Sequence, residues 1–209
     1  MQSGGPEYSV PLGRRDGQNF ATQDVTLDLL PAPTSNASTL IEKLATNQKL
    51  DATDLVALSG GHTIGLGHCR SFGERLYPQD PTMAKTYAND LKEVCPTKET
   101  NATTVLDKRS PNKFDNKYYV NLMNREGLFT SDQDLYTDSR TKGIVESFAL
   151  DEELFFEQFA KSMIKMGQLS VLTGKKGEIR ADCSVRNSDN AKLKTVVEEE
   201  EEVEARSEL

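Results

Sequence analysis

Residues 54–70 read D-L-V-A-L-S-G-G-H-T-I-G-L-G-H-C-R, and this stretch decides how the rest of the chain is interpreted. Its first part, residues 55–58, is a short apolar run that predicts a buried helix. Two glycines follow, and their lack of a side chain lets the backbone approach another group closely. The stretch therefore predicts a helix whose C-terminal end places His62 in a binding site.

Three chemistries could use such a histidine. A phosphate loop would need a Gly-x-Gly-x-x-Gly or Gly-x-x-x-x-Gly-Lys-Ser/Thr spacing, and neither spacing occurs. A zinc site could use His62, His68 and Cys69, but six residues do not place two imidazoles on one helical face, and no fourth ligand is near. A hydrogen-bonded histidine at a helix end is the ordinary alternative for a single histidine.

A family resemblance favours another interpretation. S-G-G-H-T-I-G, with Cys69 seven residues after His62, resembles the proximal haem-ligand signature of the class III haem peroxidases, the plant secretory peroxidases. Similar stretches follow the family's order: V-P-L-G-R-R-D-G at 10–17, L-P-A-P at 30–33, F-D-N-K-Y-Y at 114–119, G-L-F-T-S-D-Q-D-L at 127–135 and M-G-Q-L-S-V-L-T-G at 166–174. The resemblance runs from Gly4 to about Asn187. It implies the proximal, C-terminal portion of an all-α haem-peroxidase fold, with irregular loops and little strand.

The resemblance also assigns roles around the haem. It implies that His62 is the proximal ligand of a haem b iron and that Asp132 holds the other imidazole nitrogen. A carboxylate in that position increases the electron donation of the ligand. Without the resemblance, Asp132 reads as a turn or N-cap aspartate. Pro31, which by itself predicts a rigid turn, would border the substrate channel.

A calcium site is the second implication. Residues 107–115 place two carboxylates, a hydroxyl and free carbonyls in one irregular loop, and calcium takes such hard oxygen ligands. Read alone, the loop is only a polar turn. The resemblance implies a proximal Ca²⁺ bound by Thr63, Asp107, Ser110, the backbone oxygen of Lys113, and Asp115.

The three cysteines leave their connectivity open when only the sequence is considered. The resemblance implies a disulfide between Cys69 and Cys95 and a partner for Cys183 in the family's N-terminal half. The triplets at Asn36 and Asn101 match N-glycosylation acceptors and agree with the secreted or vacuolar location that the family implies.

The activity implied by the resemblance is oxidation of small phenolic donors by hydrogen peroxide, in a protein that is monomeric when complete. In the family a distal histidine and arginine help to cleave the peroxide. This chain has two histidines, His62 and His68, and no R-x-H-F-H-D-C stretch. We therefore expect a chain truncated before the distal haem helix, with weak activity or none by itself. Two alternatives are a noncatalytic peroxidase fragment that binds calcium or haem without turnover, and a helical interaction protein that uses its acidic tail.

The composition of the chain limits the fold and the function classes that are compatible with it. The 209 residues are 36% hydrophobic, which predicts one sizeable core and either one domain or a pair of coupled subdomains. The peroxidase-like domain is expected to cover residues 1–187. Residues 188–209 predict an acidic, disordered tail, and the net charge of −8 disfavours nucleic-acid binding. No apolar run is long enough to predict a membrane span, and the first residues lack a signal-peptide pattern.

Local patterns predict helix boundaries. Ser38 is a plausible N-cap for the helix that follows Pro33, and the acidic residues at 51–54 cap the helix before His62. Further helices are predicted near residues 83–93, 115–125, 140–149 and 151–166, with Gly127 as the C-cap of the second. In the last helix, apolar residues at helical spacing predict core packing: Phe155, Phe159, Met163 and Met166.

Overall fold

The computed structural model describes residues 3–190, apart from the side chains of Asn47 and Gln48. Within these residues the chain forms two compact units. The first unit contains residues 3–10 and 27–169, and the second contains residues 11–26 and 170–190. The expected division into residues 1–187 and an acidic tail stays a prediction, since residues 191–209 lie outside the described residues.

Short helices joined by loops dominate the described residues, which confirms the expected all-α class. The α-helices are α1 (Gln23–Leu29), α2 (Ala37–Gln48), α3 (Ala52–Ser59), α4 (Cys69–Phe72), α5 (Lys85–Val94), α6 (Lys117–Met123), α7 (Thr130–Thr137), α8 (Ser139–Leu150) and α9 (Glu152–Gly167). Short 3-10 helices cover Gly60–Thr63, Gly73–Arg75 and Asn187–Asp189. Two short strands, β1 (Leu66–His68) and β2 (Thr103–Val105), pair antiparallel with Gly67 opposite Thr104.

The helix before His62 begins and ends as its sequence predicts. The Asp51 side chain accepts the N–H of Asp54 at 3.0 Å, and the Asp54 side chain accepts the N–H of Asp51 at 2.9 Å. This reciprocal capping satisfies free amides of the first turn, so the predicted acidic cap is confirmed. After α3, a Cβ at position 60 would overlap the Tyr119 hydroxyl and the Phe155 ring. Gly60 therefore lets two aromatic side chains pack against the turn that carries His62.

The larger hydrophobic cluster of the first unit is built around aromatic side chains from α6, α8 and α9. Tyr119, Phe148 and Phe155 are buried, and their ring centroids lie 5.0, 5.3 and 5.9 Å apart. Val56 and Ala57 of α3 are fully buried in the same cluster. Burial of a large apolar side chain contributes about 1.5–3 kcal/mol, so this cluster fixes α3 firmly against its neighbours.

A buried polar contact also joins α3 to α9. Asp54 is 3% exposed, and its Oδ1 accepts the Ser162 hydroxyl at 2.8 Å. Its Oδ2 accepts a hydrogen bond from the Lys165 ammonium, which remains partly exposed. Because a buried carboxylate is costly unless it is paired, these partners fix the register of α9 on α3.

A second hydrophobic cluster surrounds the disulfide between Cys69 and Cys95, whose Cα atoms are 5.7 Å apart. Phe72, Leu76 and Tyr87 are buried beside it. The disulfide that the resemblance implies is therefore present, and it joins the first residue of α4 to the residue that follows α5.

Several local predictions need correction. Asn36, rather than Ser38, caps α2, because its side chain accepts the N–H of Thr39 at 2.9 Å. Helix α6 ends at Met123 with Asn124 as its C-cap, and Gly127 lies beyond the helix. Residues 130–137, for which no helix was predicted, form helix α7. Tertiary contacts decide these points, because adjacent polar residues offer equivalent capping groups in the sequence.

The predicted core stripe of α9 is only partly correct. Phe155 is fully buried, and Phe159 packs against the larger cluster while remaining partly accessible. Met163 is also partly accessible. Met166, in contrast, is 38% exposed. The last turn of α9 therefore leaves the core, although the helical spacing continues.

The second unit contains two backbone bridges. The N–H of Arg15 donates to the carbonyl of Leu172 at 2.8 Å, and the N–H of Asp16 donates to the carbonyl of Glu178 at 2.9 Å. The guanidinium of Arg180 lies over the Phe20 ring, 4.3 Å from its centroid. These contacts tie residues 11–26 to residues 170–190 within this unit.

A helix that crosses a bilayer needs about 20 mostly apolar residues. Among residues 3–190, no helix reaches the combination of length and hydropathy needed to cross a membrane.

Candidate functional site: an imidazole beside an apolar cavity

His62 lies in the 3-10 helix Gly60–Thr63 that follows α3. Its Nδ1 is 2.7 Å from Oδ1 of Asp132, a residue in the first turn of α7. A carboxylate only accepts hydrogen bonds, so Nδ1 carries a proton and Nε2 is left as a free lone pair in the neutral imidazole. The two residues that the resemblance links thus come together from positions 70 residues apart, with the tautomer that a metal ligand needs.

Asp132 accepts hydrogen bonds from two groups besides His62. It is 2% exposed, its Oδ2 accepts the N–H of Phe129 at 2.8 Å, and its Oδ1 also accepts the hydroxyl of Tyr118 at 2.9 Å. Three donors therefore converge on one buried carboxylate. Since each contact constrains the carboxylate plane, the oxygen facing His62 is fixed in position.

The charge of Asp132 changes the acidity of its neighbours. Burial lowers the pKa of His62, but the charge of Asp132 and its hydrogen bond outweigh burial, and the net pKa is raised. Burial, reinforced by the same carboxylate, holds the pKa of Tyr118 well above its ordinary value. Tyr118 is therefore a neutral phenol, able to donate a hydrogen bond, throughout the physiological pH range.

The segment that leads into α7 is held by Arg75, which the sequence analysis did not identify. Its guanidinium donates to three consecutive carbonyls, those of Gly127, Leu128 and Phe129, at 2.5, 2.8 and 3.0 Å. Its Nε pairs with Asp80 at 2.8 Å. An arginine that is 4% exposed would be unfavourable without such partners. Arg75 therefore positions the turn that places Asp132, and no motif in the sequence indicated this role.

A cavity of about 480 Å³ lies beside the His62 ring. Its walls are mostly apolar and come from the loop before α2, from α2, α3, α7 and the end of α9: Leu30, Pro31, Pro33, Leu40, Leu44, Leu55, Leu58, Ser59, His62, Phe129, Ser131 and Met166. Pro31 lies on the wall of the same cavity as His62, and its expected place beside a substrate channel stays a prediction. Met166, expected in the core, is a wall residue instead.

These residues fit a haem group. Haem needs one protein imidazole with a free nitrogen and a largely apolar surrounding surface. The His62 side chain is 39% exposed, so the ring is accessible, while Asp132 at its other nitrogen is 3% exposed. The cavity therefore supplies one ligating atom and an apolar wall.

The expected calcium residues also converge. Thr63 Oγ1 lies 3.1 Å from Asp107 Oδ2 and 3.4 Å from the carbonyl oxygen of Lys113. Ser110 Oγ lies 3.3 Å from the same Asp107 oxygen and 2.9 Å from Asp115 Oδ1. Five oxygen-bearing groups from two separate stretches of sequence therefore meet in one small region.

Their hydrogen bonding fits a hard cation. The Ser110 hydroxyl has one proton and cannot donate to both carboxylates, although Asp107 and Asp115 are 0% and 2% exposed. The ammonium of Lys113 is 3.7 Å from Asp115, but its side chain is 65% exposed. Buried carboxylates need neutralisation, and calcium accepts carboxylate, hydroxyl and carbonyl oxygens together.

Softer metals fit the described residues less well. Cys69 is oxidised in the disulfide and cannot act as a thiolate, which argues against zinc bound by His62, His68 and Cys69. Within residues 3–190, no group of three or more His, Cys, Asp or Glu side chains is arranged to hold a metal. A calcium site here would therefore depend on the hydroxyl and carbonyl oxygens as well as the two carboxylates.

Comparison with known proteins agrees with this geometry. A family model described as Peroxidase matches residues 1–151. The chain belongs to the peroxidase family. It is 64% identical over 189 residues to Peroxidase 12 of Arabidopsis thaliana, covering 90% of this chain and 52% of that protein. It is 59% identical over 187 residues to the cationic peroxidase SPC4 of Sorghum bicolor, covering 89% of this chain and 51% of that protein.

The chain thus spans about half the length of the curated relatives that it matches. Membership of the peroxidase family implies a haem cofactor. The matched region includes His62, Asp132 and residues 107–115, the loop that is expected to bind calcium and is called the calcium loop below.

Proposed function

We propose that this chain is the haem-proximal part of a secretory peroxidase, in which His62 binds the iron of haem b and hydrogen peroxide oxidises phenolic donors. The observation that carries the proposal is the His62–Asp132 hydrogen bond of 2.7 Å at the wall of an apolar cavity. The family match supports it independently. A structural histidine would not need a free, accessible nitrogen facing such a cavity.

In this proposal the chain's own residues prepare the iron ligand. Bound haem supplies the redox chemistry with peroxide and phenols. Asp132 keeps the proton on Nδ1 of His62, which directs Nε2 to the iron and increases its electron donation. The apolar walls exclude water from the ligand, and Pro31, at the edge of the cavity, would contact the phenolic donor.

The chain by itself should turn over slowly. Cleavage of peroxide needs an acid–base group on the side opposite the proximal ligand. Of the two histidines in the sequence, His62 is the proposed ligand, and His68 is exposed on β1 and does not line the cavity. Guaiacol oxidation by the haem-loaded chain is expected to stay close to that of free haem. Oxidation far above the free-haem rate would refute this part of the proposal.

Calcium is the second cofactor that we propose, bound by Thr63, Asp107, Ser110, the Lys113 carbonyl and Asp115. Thr63 follows the proposed iron ligand directly in the sequence. A cation held between this hydroxyl and the buried carboxylates would restrict the backbone that carries His62.

We propose secretion or delivery to the vacuole, and a monomeric state, for the protein to which this chain belongs. The Asn101 sequon residue is exposed, as a glycosylation acceptor must be. The noncatalytic alternatives receive no support from the family comparisons. The acidic tail on which one of them depends lies outside the described residues.

The decisive experiment is haem reconstitution of the wild-type chain, of His62→Ala and of His68→Ala. We expect a ferric Soret band typical of histidine ligation in wild type and in His68→Ala, and its loss in His62→Ala. His68→Ala is the matched control, since it removes the other histidine from an exposed strand. Identical spectra for wild type and His62→Ala would show that haem binds nonspecifically and would refute the proposal.

A further inference from the structure

One oxygen of Asp132 accepts two side-chain hydrogen bonds. Oδ1 lies 2.7 Å from Nδ1 of His62 and 2.9 Å from the hydroxyl of Tyr118. The sequence analysis assigned no separate role to Tyr118. Its hydroxyl nevertheless contacts the same atom that holds the proposed iron ligand.

Two donors on one carboxylate oxygen compete for its electron density. A carboxylate that accepts an additional hydrogen bond is a weaker base, because the negative charge is already partly stabilised. It then accepts a weaker hydrogen bond from the second donor. The His62 imidazole consequently has less imidazolate character. Without the hydrogen bond from Tyr118 to the same oxygen, that character would be greater.

We propose that Tyr118 is a positioning residue that weakens the hydrogen bond from His62 to Asp132 and thereby limits the electron donation of His62. The inference rests on the proposed function, because its consequence is expressed at the iron. Tyr118 raises the ferric/ferrous reduction potential of the bound haem, because a less donating ligand stabilises the ferric form less. Asp132 and Tyr118 therefore act in opposite directions on His62.

The packing of Tyr118 suits this role. The side chain is 2% exposed, and its ring meets the rings of Tyr119 and His62 edge-on, with centroids 5.1 and 6.2 Å away. With both rings in place, the phenol has little freedom to leave Asp132. The hydrogen bond is therefore a permanent part of the site.

Tyr118 also connects Asp132 to the calcium loop. It lies in the first turn of α6, and the Lys117 N–H of that turn donates to Oδ1 of Asp115 at 2.8 Å. Asp115 thus holds the start of the helix that carries Tyr118. The calcium loop is therefore connected to His62 by two chains of contacts. One runs through Thr63, and the other runs through α6, Tyr118 and Asp132.

The test compares Tyr118→Phe with Tyr119→Phe. Both residues are buried tyrosines on α6, but the Tyr119 hydroxyl donates to the carbonyl of Val56 at 2.9 Å and not to Asp132. In the haem-loaded chain, Tyr118→Phe should lower the reduction potential and raise the iron–histidine stretching frequency in the resonance Raman spectrum. Tyr119→Phe should leave both unchanged. No shift in Tyr118→Phe, or an equal shift in both variants, would overturn the proposal.

Two further measurements separate this effect from a folding defect. The first replaces Tyr118 with 3-fluorotyrosine, whose more acidic phenol donates a stronger hydrogen bond, so the potential should rise. The second adds Tyr118→Phe to Asp132→Asn, where the potential should no longer respond to position 118. Two results would contradict transmission through Asp132. One is a reduction potential that does not rise with 3-fluorotyrosine, and the other is a potential that still responds to position 118 in the Asp132→Asn variant.

A measurement without haem distinguishes failure of this inference from failure of the proposed function. In the folded apoprotein, Tyr118→Phe should move the His62 Nδ1 proton resonance downfield, because that hydrogen bond strengthens. If the resonance moves but haem binding does not depend on His62, the hydrogen-bond effect stands and the peroxidase proposal fails. If haem binding depends on His62 but neither the resonance nor the potential moves, the peroxidase proposal stands and this inference fails.

Discussion

Replacement of Asp54 by asparagine tests the polar contact between α3 and α9. Asp54 accepts hydrogen bonds from the Ser162 hydroxyl and the Asp51 N–H, at 2.8 and 2.9 Å, and pairs with the Lys165 ammonium. Asparagine has nearly the same size but carries no charge, and its NH₂ group cannot accept. One of these donors is then left without an acceptor in a site that is 3% exposed.

The expected cost is about 2.5–4 kcal/mol in the free energy of unfolding. A hydrogen bond to a charged group contributes about 1.5–3 kcal/mol, and an unsatisfied buried group adds about 1–3 kcal/mol. We take the lower part of that sum, because Lys165 is partly exposed and water can replace its contact. The measurement is urea denaturation followed by far-UV circular dichroism at pH 7.

The loss of stability caused by Asp54→Asn should depend on pH. Burial raises the pKa of Asp54, but hydrogen bonds from Lys165, Asp51 and Ser162, together with the lysine charge, lower it below the ordinary value of 3.8. A carboxyl with a lower pKa in the folded state contributes stability above its unfolded pKa and loses it as the pH falls through the folded pKa. The difference between wild type and Asp54→Asn should therefore be constant above about pH 5 and shrink below about pH 4.

The matched control is Glu157→Gln, which removes an exposed carboxylate that pairs with Lys161 on the same helix α9. This variant should leave the free energy of unfolding unchanged, because exposed ion pairs contribute little. A loss below about 1 kcal/mol in Asp54→Asn, or a loss that stays the same from pH 7 to pH 3, would refute the reasoning.

Two further predictions concern the calcium loop and the disulfide. Removal of calcium with EGTA, or Asp107→Asn, should lower the melting temperature and weaken His62-dependent haem binding, since free calcium at 100 times its Kd stabilises a protein by about 2.7 kcal/mol. Glu157→Gln is again the control, because its exposed carboxylate pairs with Lys161 on α9 and lies outside the loop; equal melting with calcium and with EGTA would contradict the site. Replacing Cys69 and Cys95 together by serine opens a loop with a sequence separation of 26 and should cost about 3 kcal/mol in urea denaturation. A loss below about 1 kcal/mol would mean that the oxidised and reduced unfolded chains have similar freedom.

Much of the proximal site could be predicted from local patterns together with the family resemblance. The acidic cap at Asp51 and Asp54 was correct, because capping depends on neighbouring residues in the sequence. The pairing of Cys69 with Cys95 was implied by the resemblance and is present in the structure. The His62–Asp132 contact was also implied by the resemblance, and no periodicity or spacing in the sequence indicates it.

Other parts of the site could not be predicted. The role of Arg75 could not be predicted from the sequence. Its partners are backbone carbonyls more than 50 residues away, at Gly127, Leu128 and Phe129. A carbonyl is common to every residue, so no motif marks it. Met166 continues a helical apolar stripe, and only the end of the surrounding core decides that it becomes a cavity wall.

The sequence by itself determined where helices can begin, which residues carry acid, imidazole or thiol groups, and which stretches resemble the peroxidase family. These properties are local, because they depend on side-chain chemistry and short spacings. The tertiary structure decided which atoms meet: Tyr118 and His62 on one oxygen of Asp132, and Ser110 between two buried carboxylates. Such contacts depend on how α3, α6 and α7 pack together, and packing is set by the summed burial of many side chains rather than by any one stretch of sequence.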